Sequence, residues 1–294
     1  MNRDNTKVLL AYLAVCIIWG STYLAIRIGV EDFPPFLFAG IRFLTAGSIM
    51  FVYAKLRKLD FPTDKKEIAK ISIVGLLLLL CGNGLVVYAE QWVHSGIASL
   101  IIASIPLYMA LIDLFIFKGS RLQLRGWLGL IIGFCGVGWL VMADDLSGAI
   151  DALGAILLLI ACFCWALGSV FSKTFKKHGS IISQIAIEML AGGAGLAIVG
   201  LIRGELSSIS FTAKSTGALL YLIVFGSIIA YSSYVYILQK WPAAKAGTYA
   251  YINPVIAVVL GALILDEKLS ISVVFSTVII LAGVFIVQKS KLKA

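Results

Sequence analysis

Apolar and polar positions fall in long blocks along this chain. Ten apolar runs, at about 8–28, 34–54, 69–91, 96–117, 124–142, 151–172, 180–202, 215–238, 245–265 and 270–288, are separated by short polar breaks. Each run has roughly the ~20 residues a helix needs to cross a bilayer, and none shows the period-2 alternation of a membrane-spanning strand. The pattern predicts ten transmembrane helices, with short connections that make successive helices antiparallel neighbours. The longest polar break, Lys55 to Lys70, reads as a surface loop, so no soluble domain is expected inside the chain. No small-residue cleavage site in a polar context follows the first run, which reads as a retained span.

A weak echo runs through these blocks at a spacing of 146 positions: Trp19 and Trp165, Arg27 and Lys173, Gly47 and Gly193. At the position matching Arg42 the echo carries Glu188. Further on, with small drifts in spacing, Trp92 answers Trp241, Pro106 answers Pro254, and Gly136-Val137 answers Gly283-Val284. The chain thus divides into a first five-helix unit, 8–142, and a second, 151–288. Five spans is an odd number, so the second unit enters the membrane inverted relative to the first. Inverted repeats suit secondary transporters, in which two halves rock around a central site.

Composition sharpens this reading. Of 294 residues, 61% are hydrophobic and 13% charged, where a soluble domain carries about a quarter charged residues. The net charge of +9 does not call for nucleic acid, because the basic residues sit in short loops as membrane topology demands. With the N-terminus in the cytoplasm, 19 of the 24 lysines and arginines fall on that side, while Glu31, Asp32, Asp144 and Asp145 fall outside. Both termini are expected in the cytoplasm. The five cysteines all lie in apolar runs without C-x-x-C spacing or clustered histidines, and read as buried small residues rather than metal ligands or disulfides. His94 and His178 lie near span ends.

Ionisable residues inside apolar runs mark the candidate solute path, since each costs about 2.5–3.5 kcal/mol to insert. Arg42 lies about eight residues past Pro34-Pro35, hence roughly 12 Å deep. Glu188 lies equally deep from the other side, which puts the two within ~6 Å in depth across a ~30 Å core. One reading has Arg42 attract an anionic group of the solute while Glu188 binds a cationic group or a coupling proton. The other makes them a structural ion pair, or makes Arg42 a helix-orienting, snorkelling residue. Asn83 and Glu90 share a face of the third span, with Tyr88 and Gln91 on the adjacent face. Trp19 and Trp165 fall near mid-span rather than at the interfaces where membrane tryptophans gather, and Thr22 follows the first of them. Tyr249 and Asn253, spaced i and i+4, precede Pro254, which frees a backbone carbonyl that Asn253 can satisfy unless it turns to the solute. Pro106, near Ser104, does the equivalent in the fourth span, and paired helix interruptions point to a midplane site. Gly126, Gly129, Gly133 and Gly136 form a small-residue stripe that predicts close helix packing, within the protomer or across a homodimer. No phosphate-binding loop, zinc-protease motif or nucleophile elbow is present. Transport would therefore run on a gradient or by exchange, with no cofactor.

Trp19-Gly20-Ser21-Thr22, Pro34-Pro35 and Arg42-Phe43-Leu44-Thr45-Ala46-Gly47, together with Pro106, Pro254 and Asp266-Glu267, closely resemble the EamA family, ten-helix members of the drug/metabolite transporter superfamily. The likeness covers nearly the whole chain, and the opening segment is most similar to bacterial inner-membrane exporters. Lys118-Gly119-Ser120 departs from the family, which often has an acidic residue after span four. The resemblance implies an all-α polytopic fold of two inverted five-helix repeats. A central cavity would form mainly from spans 1–4 and 6–9, with spans 5 and 10 outside. It also implies export of amino acids, related metabolites or drugs, while other members carry sugars or nucleotide sugars.

The sequence therefore predicts an inner-membrane secondary transporter that exports small metabolites such as amino acids by alternating access. Its partners would be a small-molecule solute, protons as a coupling ion, and membrane lipid. Trp19, Thr22, Arg42, Asn83, Tyr88, Glu90, Trp165, Glu188, Tyr249 and Asn253 are the expected cavity or substrate residues. A membrane-embedded enzyme would need clustered carboxylates or histidines at one interface, and a channel would need pore-lining rings from an oligomer.

Overall fold

The computed structural model describes residues 3–93, 98, 101–118, 121–143, 152–256, 271–290 and 292–293. His94, Gly119, Ser120, Asp144, Asp145, Asp266 and Glu267 lie outside these residues. The described residues are helical apart from connections and one two-residue antiparallel pairing, Arg121–Leu122 with Leu292–Lys293. In chain order the helices are α1 (Arg3–Asp32), α2 (Pro35–Leu56) and α3 (Lys65–Ala89). Next come α4 (Ile105–Phe115), α5 (Leu124–Ala143), α6 (Ala152–Phe171) and α7 (Ile181–Ile202). After a short 3₁₀ turn at Glu205–Ser208 follow α8 (Ala213–Lys240), α9 (Ala243–Gly247, resuming at 249–256 after a break at Thr248) and α10 (Ile271–Lys289).

Helices α1, α2, α3, α6, α7 and α8 are long and apolar enough to cross a membrane, and α4, α5 and α10 contribute shorter apolar helices among the described residues. Large apolar side chains stand exposed along outward faces, for example Leu10, Ile17 and Leu24 on α1 and Val274, Val278, Leu281 and Phe285 on α10. An exposed apolar belt of this extent fits lipid as the solvent. Helix α3 begins at Lys65, before its apolar run, because the Asp64 carboxylate accepts the Lys66 N–H at 3.1 Å and caps the polar first turn.

Elements that correspond in the sequence echo pack on one another. Helix α2 lies along α7, α5 along α10 and α4 against α9, while α1 packs on α8 as α6 packs on α3. The α2–α7 crossing depends on two glycines. A Cβ on Gly47 would stand 3.0 Å from the Leu190 nitrogen, and one on Gly193 would stand 2.8 Å from the Leu44 nitrogen. These backbones meet because neither position carries a side chain.

Each half also contains one π-helical stretch, Leu76–Gly84 in α3 and Leu222–Tyr231 in α8. The two start 146 positions apart. Such widened turns re-aim side chains and leave backbone carbonyls open to other partners. The two halves are further tied by carboxylates at opposite ends. Glu205 accepts the Leu37 N–H at 2.9 Å in the first turn of α2, where Pro34 offers no side-chain cap, and Glu67 accepts from the His178 backbone N–H and lies 2.8 Å from its Nδ1.

Candidate functional site

The site lies where α1, α2, α3, α4, α6, α8 and α9 meet. Trp19 and Trp165, the matched tryptophans, touch edge-on with ring centroids 5.4 Å apart. Tyr249 lies 4.9 Å from Trp19, and Tyr234 lies 5.2 Å from Trp19, 5.4 Å from Trp165 and 5.5 Å from Tyr249. The indole N–H groups find acceptors, as buried tryptophans require. Trp19 Nε1 donates to the Gly226 carbonyl at 3.0 Å, inside the π-helical stretch of α8, and Trp165 Nε1 donates to the Tyr234 hydroxyl at 3.1 Å. Ser169 lies 2.6 Å from that same hydroxyl.

Beside this cluster is a cavity of about 70 Å³ whose walls include Trp19, Thr22, Tyr23, Arg42, Asn83, Trp165, Tyr231, Tyr249 and Asn253. The two π-helical stretches supply Leu79, Gly82, Asn83, Gly226 and Tyr231 to its lining. Arg42 is 3% exposed. Its Nε donates to Ser227 Oγ at 2.8 Å and its guanidinium sits 4.5 Å from the centre of the Phe43 ring. Among the described residues no carboxylate comes within ion-pair distance of it. The Oδ1 atom of Asn83 is buried without a hydrogen-bond donor. Thr22 donates to the Trp19 carbonyl at 2.8 Å. Asn253, with its amide oriented by its neighbours, donates to the Tyr249 and Cys16 carbonyls at 3.1 and 3.2 Å. Its nitrogen therefore serves the backbone of the interrupted helix and ties α9 to α1.

Three of the residues singled out from sequence stand apart from this cavity. Glu188 does not meet Arg42. Its Oε2 accepts from the Tyr231 hydroxyl at 2.9 Å, and its Oε1 lies 3.7 Å from the Lys177 Nζ. The ion pair envisaged between Arg42 and Glu188 is thus replaced by two separate polar contacts to α8, Arg42 to Ser227 and Glu188 to Tyr231. Tyr88 faces a second cavity of about 370 Å³ at the end of the bundle carrying residues 30–35 and 203–208. There it accepts from the Arg203 guanidinium at 2.9 Å and meets Trp92 edge-on, with ring centroids 4.7 Å apart. Glu90, directly after α3, is within electrostatic reach of Tyr23 and Arg27, and its Oε1 is buried without a hydrogen bond.

A third cavity, of about 380 Å³, opens at the opposite end between Ser172, Lys173, Lys177, Gln184 and Gln239. Lys173 Nζ donates there to the Leu238 and Trp241 carbonyls that terminate α8. Burial lowers the proton affinity of this ammonium below its usual value, and the nearby Asp113 charge acts in the opposite sense.

Sequence reasoning missed Tyr231, Ser227, Tyr234 and Tyr23. A signal existed in Tyr231-Ser232-Ser233-Tyr234, a polar run inside an otherwise apolar span. Gly226 gave no signal, since its contribution is a carbonyl. The glycine stripe on α5 packs within the protomer. A Cβ on Gly283 of α10 would stand 2.5 Å from the Gly133 nitrogen, and Gly136 abuts Ile280. Among the described residues no group of three His, Cys, Asp or Glu side chains could hold a metal ion.

Comparison with known proteins bears on the whole assembly. The model of the EamA-like transporter family matches twice, over residues 6–142 and 152–288. The uncharacterized inner membrane transporter YedA of Escherichia coli K12 is 42% identical over 262 residues, covering 88% of this chain and 83% of that protein. The uncharacterized transporter YoaV of Bacillus subtilis is 27% identical over 95% of this chain and 96% of its own length. A probable amino-acid metabolite efflux pump of Escherichia coli K12 is 24% identical over 93% of this chain and 92% of its own length. A solved structure titled only "Crystal structure of protein" shares the fold, with a TM-score of 0.76 at 19% identity over 96% of this chain and 97% of that one. The two family matches together span nearly all of the chain, the first containing Trp19 and the second Trp165, and the chain belongs to the EamA-like transporter family.

Proposed function

We propose that this protein is an inner-membrane secondary transporter that exports small zwitterionic or anionic metabolites, amino acids foremost, by alternating access around the central cavity. Ten spans in two inverted five-helix units, with both termini in the cytoplasm, form its frame. The observation that carries the reading is Arg42, a buried guanidinium in the cavity wall with no carboxylate at ion-pair distance among the described residues. Burying a charge without an opposite one is costly, and a solute carboxylate would supply the missing partner. Asn83 Oδ1, lacking a donor, and the faces of Trp19, Trp165 and Tyr249 suit an ammonium group and its side chain.

The described conformation is contracted. Its central cavity, of about 70 Å³, is well below the ~300 Å³ at which small-molecule pockets begin. Solute entry therefore requires the halves to separate at one end, toward one of the two larger cavities. A relative named as a probable amino-acid metabolite efflux pump supports the solute class. Counterflow in proteoliposomes tests it. Labelled L-amino acids outside should accumulate transiently against an unlabelled internal pool, whereas a channel gives simple equilibration. Absence of any overshoot across the amino-acid set would discard this solute class.

A further inference from the structure

Glu188 sits in the partition between the central cavity and the cavity at the Lys177 end, and each of its carboxylate oxygens faces one of them through a single residue. On one side Tyr231 lines the central cavity and donates to Oε2 at 2.9 Å. On the other, Lys177 lines the end cavity and stands 3.7 Å from Oε1, which makes no hydrogen bond. The carboxylate is 1% exposed and the lysine side chain 10%. A structural ion pair in so dry a place is expected at ~2.8 Å with its lone pairs filled. Here one oxygen is vacant, and the cation is close enough to balance the charge without bonding to it. Among the described residues the other packed elements offer no alternative partner. Helix α3 presents Gly75, whose missing Cβ admits the Glu188 backbone, Arg42 of α2 turns to Ser227, and Tyr234 of α8 lies next beyond Tyr231.

We infer that Glu188 is a proton-binding site that couples solute passage to a proton gradient, with Tyr231 reporting the state of the central cavity and Lys177 that of the end cavity. This rests on the solute-transport reading above. A proton entering from the Lys177 end binds Oε1 and makes the acid neutral. Lys177 then loses its counter-charge and is released with the loop before α7, so the end cavity opens toward the centre. Loss of the proton from Glu188 restores the pair and closes that end. Tyr231 transmits the change to the wall it shares with Arg42.

Two measurements on the full chain in lipid test this. Infrared difference spectra between acid and alkaline pH need no solute. Wild type should show a protonated-carboxyl carbonyl band that is missing in Glu188→Gln and shifted in frequency in Tyr231→Phe. A spectrum identical in all three proteins overturns the inference. Counterflow of the labelled L-amino-acid mixture should vary severalfold with pH in wild type and be flat with pH in Glu188→Gln. Retained pH dependence in that variant also overturns it. No wild-type counterflow at all would refute the solute class while the infrared comparison still decides Glu188.

Discussion

At Arg42 one nitrogen is held by Ser227 while another lies where a Cβ on Gly226 would meet it at 2.9 Å. The guanidinium is thus fixed in place by α8 yet keeps donors facing the cavity. Arg42→Ala is expected to weaken the apparent affinity for an anionic or zwitterionic solute by roughly 10- to 100-fold, the equivalent of losing one charge-assisted bond of about 1.5–3 kcal/mol. Half-saturation of counterflow measures it, and unchanged half-saturation would make Arg42 structural. That this residue mattered was legible in the sequence, because a lone charge in an apolar run is costly wherever it points. Its partner was not legible. Ser227 lies 185 positions away, and nothing in the local pattern ranks it above Glu188, which the repeat spacing suggested instead.

Among the elements, the paired helices meet through absent side chains and widened turns. Gly283 of α10 faces the α5 backbone, and a methyl there would lie 2.5 Å from the Gly133 nitrogen and 2.7 Å from its Cα. Backbone cannot rotate away as a side chain can. Gly283→Ala should therefore cost on the order of 1–3 kcal/mol, read as a melting temperature lowered by several degrees in a detergent thermal-shift assay. Unchanged melting would mean that the two helices slide apart freely. The stripe on α5 announced a close contact, but only packing chose α10 within the same protomer over a second copy. The π-helical stretches had no sequence warning at all, since LLLLLCGNG and LIVFGSIIAY read as ordinary apolar helix. Proline did mark real interruptions, though displaced from the proline itself. Pro106 stands in the first turn of α4, directly after a turn at 103–104, and Thr248 breaks α9 ahead of Pro254. The Thr248 break is held by Tyr12 at 2.8 Å and by Gln288 Nε2 at 3.0 Å.

For the whole molecule, the distribution of lysine and arginine predicts which way the bundle sits. Reporter fusions that are active only in the cytoplasm should be active at both the N- and the C-terminus, and a C-terminus outside would break the ten-span arrangement. The same orientation assigns the Lys173–Lys177 cavity to the cytoplasmic end and the Tyr88–Arg203 cavity to the outer end. An exporter would then load its solute past Lys177 and release it past Arg203. On that scheme the central cavity, at about 70 Å³, would belong to a state between those two openings.

The sequence by itself determined the helical membrane architecture and the short list of costly residues, and its repeat spacing suggested a division into two related halves. These follow from hydropathy, from insertion energy and from repeat spacing, each of which can be read without knowing any contact. Tertiary structure alone decided which of those residues share a cavity. It brought Trp19 to Trp165, gave Arg42 to Ser227, and set Glu188 between Tyr231 and Lys177. A helix face is set by how its turns are wound and where its neighbours cross, and in this chain both depend on two π-helical stretches and a few glycines whose effect exists only once the helices have met.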